Sequence, residues 1–323
     1  MLRLAVVGVG HLGWFHASLV KGSNFAELAG VFDIDTHRCN DVARRLGVSA
    51  YESLDTLLSD VDAVIIATPT GTHFDIGMAA VRAGKHILME KPLTDSYEKA
   101  VHLVEKAESC NLVLALGYTE RFNPAYRSAK PFIKEPAYME SERLTPPSER
   151  GTDVSVILDL MIHDIDLALD IFGCEPLSVS SYGVNVVYEK DDISSATLFF
   201  TGDRIAKLTA SRVSLKPTRK LHIFQSESYL SLDLAKRSVN LASLRDISSP
   251  GVECHSIPFG KTNRKIFVSN LPVPDDVNPL LEEIRDFVAA VETGKKPAVS
   301  GREALRSLKI SFEIISNIQR PKL

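Results

Sequence analysis

Short aliphatic runs separated by amphipathic stretches fill the first third of the chain. Residues 2–7 (LRLAVV), 28–32, 61–67 (VDAVIIA), 86–89 and 112–116 are nearly continuous Val, Ile, Leu and Ala. Such runs suit strands buried on both faces. Between them, residues 11–21, 36–46, 73–83 and 96–109 read as helices, and Gly84 offers a cap for the third. Buried strands alternating with helices predict an α/β, doubly wound parallel sheet of the Rossmann type over residues 1–120.

The pattern changes after residue 120. Residues 123–134 read as a helix interrupted by Pro131, 137–144 as a strand, and 145–151 as a loop with two prolines and a glycine. Residues 153–172 form a strongly apolar helical stretch. From 177 to 258, strand follows strand, several alternating polar and apolar positions, as a sheet with one wetter face does. Strands without intervening helices predict mostly antiparallel neighbours. Helical stretches at 279–292 and 303–318 close the chain. Residues 121–323 are therefore expected to be an α+β domain with a large, mostly antiparallel open sheet. Its closing helices could also pack back on the first domain. An open sheet of this size predicts a symmetric homo-oligomer.

Length and charge narrow the function. At 323 residues the chain is long for a single core, consistent with two domains. Its net charge of −4, with Lys and Arg scattered, argues against nucleic acid as a partner. The four cysteines (Cys39, Cys110, Cys174, Cys254) form no CxxC pair, so neither a metal site nor a disulfide framework is expected. No apolar run approaches the ~20 residues of a membrane helix. The N-terminus enters a strand without a signal-like leader, which makes the cytoplasm the expected location.

The chemistry begins at Gly8-Val9-Gly10-His11-Leu12-Gly13. A GxGxxG is weak alone but strong between a first strand and a helix. There the three glycines serve a tight turn, close approach to a pyrophosphate, and helix-on-strand packing. The helix N-terminus, with His11 and Leu12 in its first turn, offers free N–H groups to phosphate. Asp33, twenty residues beyond Gly13, ends the second strand, where a carboxylate accepts from ribose hydroxyls and repels a 2′-phosphate. The expected cofactor is NAD. Arg38 is a cation that a 2′-phosphate would also find, so NADP stays open beside it. Thr68, Pro69 and Thr70 follow the carboxyl end of a strand and are expected to line the dinucleotide crevice.

Glu90-Lys91-Pro92, the stretch ATPTGTHFDIGMAAVRAGK, Gly-Tyr-Thr-Glu-Arg-Phe-Asn-Pro at 117–124 and LDLMIHDIDLALDIFG at 158–173 together resemble the Gfo/Idh/MocA oxidoreductases. The resemblance covers almost the whole chain. It implies Lys91 between nicotinamide and substrate, with Asp159 and His163 as the further polar groups of the active site. It also places Glu90 and His73 on the cofactor side. Asp159 and His163 are four apart and would share a helix face, which Asp166 and Asp170 continue. Histidine's ordinary pKa, roughly 6.5, suits proton transfer, and a lysine ammonium can steady a developing alkoxide. Either Lys91 or His163 could take the proton. Trp14 and His16 read as packing.

Tyr118, Arg121 and Asn123 at the domain crossover are candidate substrate contacts. Within the family, ERLTPP and RGTDVSVILDLMIHDIDLAL resemble the bacterial UDP-N-acetylglucosamine 3-dehydrogenases. That resemblance implies oxidation of a UDP-amino sugar to its 3-keto form, with Arg143 or Arg150 meeting the diphosphate. Free sugars, inositols and dihydrodiols are the alternative substrates. Outside enzymes the rival is a nicotinamide-sensing binding protein, which would not need Lys91, Asp159 and His163 together.

Overall fold

The computed structural model describes residues 1–147, 154–246, 255–258 and 264–320. The chain divides into two compact units, Met1–Phe122 with Asn278–Leu308, and Asn123–Val277 with Lys309–Leu323.

In the first unit, strands and helices alternate as the apolar runs predict: β1 (Leu2–Val7), α1 (His11–Lys21), β2 (Ala26–Phe32), α2 (Thr36–Leu46), β3 (Ser49–Ala50), α3 (Leu54–Asp60), β4 (Ala63–Ile66), α4 (His73–Arg82), β5 (His86–Glu90), α5 (Tyr97–Ser109) and β6 (Leu114–Gly117). The six strands lie in the order β3-β2-β1-β4-β5-β6, all parallel. The order reverses between β1 and β4, the switch point beside which sheets of this kind bind ligands at the strands' carboxyl ends. Side-chain oxygens of Asp35, Ser53 and Ser96 accept from the first-turn N–H groups of α2, α3 and α5, fixing where each helix starts.

The division falls at Phe122/Asn123, and the closing helices are shared between the two units. Helix α8 (Pro279–Thr293) belongs to the first unit, because Ile284, Phe287 and Val288 join the core of Leu4, Val6, Val31 and Ile65. Helix α9 (Gly301–Ser316) runs through the division, and Ile310 and Ile314 are part of the second core.

The second unit opens with α6 (Pro124–Ala129) and β7 (Pro136–Leu144). The helix expected at 123–134 stops at Ala129 and tightens into a single turn holding Pro131. After a wide turn at Ile157–Met161 comes α7 (Ile162–Phe172). Then follow β8 (Ser178–Val184), β9 (Ile193–Phe200), β10 (Arg204–Ser211), β11 (Thr218–Gln225), β12 (Ser228–Asp233), β13 (Ser238–Asp246), β14 (His255–Pro258), β15 (Arg264–Asn270) and β16 (Ile318–Gln319). They form a ten-stranded sheet, β14-β15-β13-β12-β11-β7-β10-β9-β8-β16. The β7/β10 and β8/β16 pairs are parallel and the rest antiparallel. The strand region extends past the expected end at 258.

Alternation decides the two faces of this sheet. Ala196, Leu198, Leu208, Leu221, Ile223 and Leu230 pack with Ile165, Leu169 and Phe172 of α7 in one core. The intervening positions face outward. There Tyr138, Phe224, His222 and Tyr229 lie against one another, and Phe199 and Phe224 are exposed.

Candidate dinucleotide and catalytic sites

The β1–α1 turn is built by its glycines. Gly8 has φ +84°, and a Cβ there would lie 2.6 Å from Thr68 Cγ2. A Cβ on Gly13 would lie 1.8 Å from the Gly8 carbonyl oxygen, so only glycine lets α1 pack this close to the turn. Gly10 is different: nothing lies within 4 Å of its absent Cβ. That open space, and the N-terminus of α1 with no side-chain cap and no acidic residue in its first turn, are what a pyrophosphate needs. His11 and Leu12 stand exposed there.

Asp33 ties this turn to β2. Its Oδ2 accepts the Val9 N–H at 2.8 Å, its Oδ1 accepts the Asp35 N–H at 2.9 Å, and Arg38 reaches Oδ2 at 3.4 Å. A carboxylate has about four acceptor positions, so one remains on Oδ1 for a ribose hydroxyl. Arg38 also pairs with Asp35 at 3.0 Å, so two carboxylates already counter its charge. Asp35 caps α2 through the Arg38 N–H, which holds its carboxyl below the usual range despite the opposing effect of burial. Ile34, between these two acids, is 93% exposed.

Thr68, Pro69 and Thr70 follow β4; Thr68 and Thr70 are half-buried and Pro69 is exposed. His73 is buried. Its Nδ1 lies 2.9 Å from the Pro92 carbonyl oxygen and its Nε2 2.9 Å from that of Thr68, bracing the Thr68 loop against the Lys91-Pro92 segment. The Lys91-Pro92 peptide is cis.

Glu90 is buried at the end of β5. Its Oε1 is 2.8 Å from His16 Nε2, and its Oε2 accepts the Lys91 N–H at 3.3 Å. Burial alone would push this carboxyl up. The hydrogen bond and charge of His16, then Lys91, outweigh it and hold the group below the usual carboxylate value.

In the second unit, Asp159 lies in the wide turn and His163 in the first turn of α7. Both are half-buried, with Leu160 between them equally so. Asp164 and Asp166 are buried, so the polar stripe expected through 166 is broken. Asp170, at the far end, bonds Tyr126 and Lys130. A widened turn inside a helix re-aims its side chains and is frequent at functional sites.

With these two sets of groups in place, comparison with known proteins is decisive. The family model for the Gfo/Idh/MocA oxidoreductase family, NAD-binding Rossmann fold, matches residues 2–118, and that for the Gfo/Idh/MocA C-terminal domain matches 128–231. A UDP-N-acetylglucosamine 3-dehydrogenase from Acidithiobacillus ferrooxidans is 36% identical, covering 99% of both chains. The chain belongs to the Gfo/Idh/MocA oxidoreductase family.

The crystal structure of that A. ferrooxidans enzyme superposes with a TM-score of 0.89 over 98% of this chain and 97% of the other. A myo-inositol 2-dehydrogenase from Thermotoga maritima is 25% identical over 99% of this chain and 97% of its own. This family member is thus an NAD-binding oxidoreductase, and the first unit carries the dinucleotide fold.

Of the candidate substrate contacts, Tyr118, Arg121, Asn123 and Arg143 lie among the described residues. Asn123 is buried: its Nδ2 donates to the Leu234 carbonyl oxygen and its Oδ1 accepts the Ala125 N–H, so it caps α6. Tyr118 is 1% exposed. Arg143 is buried on β7 and grips Asp164 through Nε at 2.8 Å and Nη2 at 3.1 Å. Arg121 keeps partial exposure. Arg150 lies outside the described residues, as does Cys254; Cys39, Cys110 and Cys174 are in no disulfide. No helix among the described residues is long and apolar enough to cross a membrane.

Three residues were not singled out for function: Ile34, His16 and Glu283. Ile34 had a readable signal, an apolar residue directly after the strand-end Asp33. His16 and Glu283 had none, because their significance depends on Glu90, 74 positions from His16.

Proposed function

We propose that this protein oxidises the 3-hydroxyl of UDP-N-acetylglucosamine to the 3-keto sugar with NAD. The observation that carries the reading is the 36% identity to the A. ferrooxidans enzyme along 99% of both chains, through both units rather than the dinucleotide fold alone. A free sugar or an inositol is the second reading, supported by the inositol dehydrogenases among the more distant relatives.

NAD, when bound, supplies the two-electron acceptor for the hydride leaving the carbinol carbon. The chain does the rest. The uncapped N–H groups of α1 and the space over Gly10 take the pyrophosphate, and Asp33 takes the ribose hydroxyls. Ile34 offers an apolar surface for the adenine plane. Lys91 steadies the alkoxide, the hydroxyl proton passes to His163 or Lys91, and Asp159 orients the imidazole or a sugar hydroxyl. Arg121 is a further described candidate for the diphosphate, beside Arg143. The residues needed for turnover favour an enzyme over a nicotinamide sensor. The same reading gives a cytoplasmic enzyme acting as a homodimer or homotetramer through the second unit's sheet, supported by its outward aromatic face with Phe199 and Phe224 exposed.

The test mixes the protein with NAD and UDP-N-acetylglucosamine, follows reduced-nicotinamide absorbance, and seeks by mass spectrometry a sugar two hydrogens lighter. Both signals are expected, and His163→Ala should lower turnover by ~10²–10⁴-fold with NAD still bound. NAD binding without either signal, alongside turnover of a free polyol, would transfer the conclusion to the second reading.

A further inference from the structure

The wide turn Ile157–Met161, which carries Asp159, is entered through residues 154–156, and that entry is tied down at two points. Val156 donates its N–H to the Asp191 carbonyl oxygen at 3.3 Å, and Arg212 Nη2 donates to the Val154 carbonyl oxygen at 2.8 Å. Within the entry, the Ser155 hydroxyl accepts the Ile157 N–H at 3.3 Å, and the Ser155 carbonyl oxygen accepts the Asp159 N–H at 3.0 Å. Arg212 follows β10, which packs on the turn, and its own N–H donates to the Asp192 carbonyl oxygen at 2.9 Å. Both ties therefore end on one pair of residues, Asp191 and Asp192, at the end of the connection between β8 and β9.

The two acids are held by different devices. Asp192 is buried, and its Oδ2 accepts three successive N–H groups, from Val186 at 2.7 Å, Val187 at 2.6 Å and Tyr188 at 3.1 Å. These donors fold the connection around one carboxylate oxygen and offset the cost of burying its charge. Asp191 is also buried, but its carboxylate is gripped from a distant part of the chain. Arg320 Nε donates to Oδ1 and Nη2 to Oδ2, both at 2.9 Å, in a bidentate pair. Gly183 on β8 makes the room. A Cβ there would lie 2.2 Å from Ile318 Cδ1 and 3.0 Å from Asp191 Oδ1, so bare backbone lets β16 pair beside β8 and bring Arg320 to Asp191. The contacts run from Arg320 through Asp191 and Val156 to the Asp159 turn, all within the second unit.

We propose that Asp191 and Arg320 are positioning residues for the turn that carries Asp159 and leads into His163. The bidentate pair keeps the Asp191 carboxylate inside the fold. With the carboxylate in place, the Asp191 carbonyl stays on the Val156 N–H and fixes where the turn begins. Without the guanidinium, a buried carboxylate loses its counter-charge, turns towards water and takes its own carbonyl with it. The brace deepens the proposed function and rests on it for the roles of Asp159 and His163. The competing role is purely structural: the pair would fasten β16 to the sheet edge and leave the turn unaffected.

The test compares full-length wild type, Arg320→Met, Asp191→Asn and the double variant. Met keeps aliphatic bulk without the charge, and Asn keeps the shape of Asp without its charge. Three readouts are taken: kcat per NAD-binding site with KM for NAD, amide hydrogen exchange along the chain, and melting temperature. Arg320→Met should lower kcat on UDP-N-acetylglucosamine ~10-fold or more while KM for NAD stays within about twofold. It should also speed exchange at Val156, Ile157 and Asp159, with the first unit still protected. The double variant should recover most of the lost kcat and lie within about threefold of Asp191→Asn, because no unpaired charge is left to leave the fold.

A lower melting temperature with unchanged kcat per site and unchanged exchange at 156–159 is the purely structural outcome and overturns the proposal. So does a double variant whose losses add, or faster exchange spread evenly over the second unit. If wild type turns over no sugar, the function reading fails by itself. The exchange at 156–159 in Arg320→Met then still judges the brace, faster exchange supporting it and unchanged exchange overturning it.

Discussion

Replacing Glu283 by Gln should stabilise the first unit, and by an amount that grows with pH. Burial, reinforced by the charges of Glu90 and Asp286, pushes the Glu283 carboxyl well above its ordinary 4.5. The folded protein therefore holds a proton that the unfolded chain releases. Native protons exceed unfolded protons above pH 4.5, so stability falls as pH rises towards the folded pKa. Each pH unit in that window costs about 1.4 kcal/mol. At about pH 7 the span is 2.5 units from 4.5, which sets a ceiling of about 3.4 kcal/mol. Gln is neutral in both states and removes the slope. Both Glu283 oxygens lack partners in the folded state, so the amide forfeits no hydrogen bond by replacing them. The reporter is built in: Trp14 is the chain's one tryptophan and lies on α1 in the same unit. Urea midpoints from its fluorescence, for wild type and variant between about pH 5 and 8, should diverge steadily with pH. A variant difference that does not change across that range would refute the buried neutral acid.

Four further outcomes follow from the geometry. Gly10→Ala should fold with an unchanged melting temperature yet lose NAD affinity ~10-fold or more, because its Cβ meets only the space reserved for pyrophosphate; calorimetric titration checks this. Gly13→Ala should instead lower the melting temperature itself, since its Cβ would lie 1.8 Å from a backbone oxygen. Asp33→Ser should release Arg38 and shift the NADP-to-NAD ratio of kcat/KM upward by ~10-fold or more, while weakening the turn that Asp33 holds through Val9. Asp164→Ala should destabilise the second unit, by up to roughly 3–5 kcal/mol, because it removes the bidentate partner of the buried Arg143 guanidinium; denaturant unfolding measures this.

The sequence alone determined a good deal of this protein. Continuous apolar runs such as AVII at β4 suit strands buried on both faces, and their alternation with helices predicted a parallel sheet. The glycine turn was legible because each glycine answers a local steric demand within a few residues. Alternation in β9 to β12 likewise foretold a sheet with one buried face.

Other features were decided only in three dimensions. Asn123, Tyr118 and Arg143 look in sequence like polar groups ready for a substrate. Their fate depended on Leu234, on complete burial and on Asp164, none of which a local pattern identifies. Helix α8 is amphipathic wherever it packs, and only the tertiary core assigns Phe287 to the first unit. The His16–Glu90–Glu283 cluster joins three elements distant in the chain, and its protonation depends on burial that no single segment creates. Periodicity reports that a face is buried. The folded core alone decides what lies opposite it, and hence whether a charge is paired, neutralised or left for chemistry.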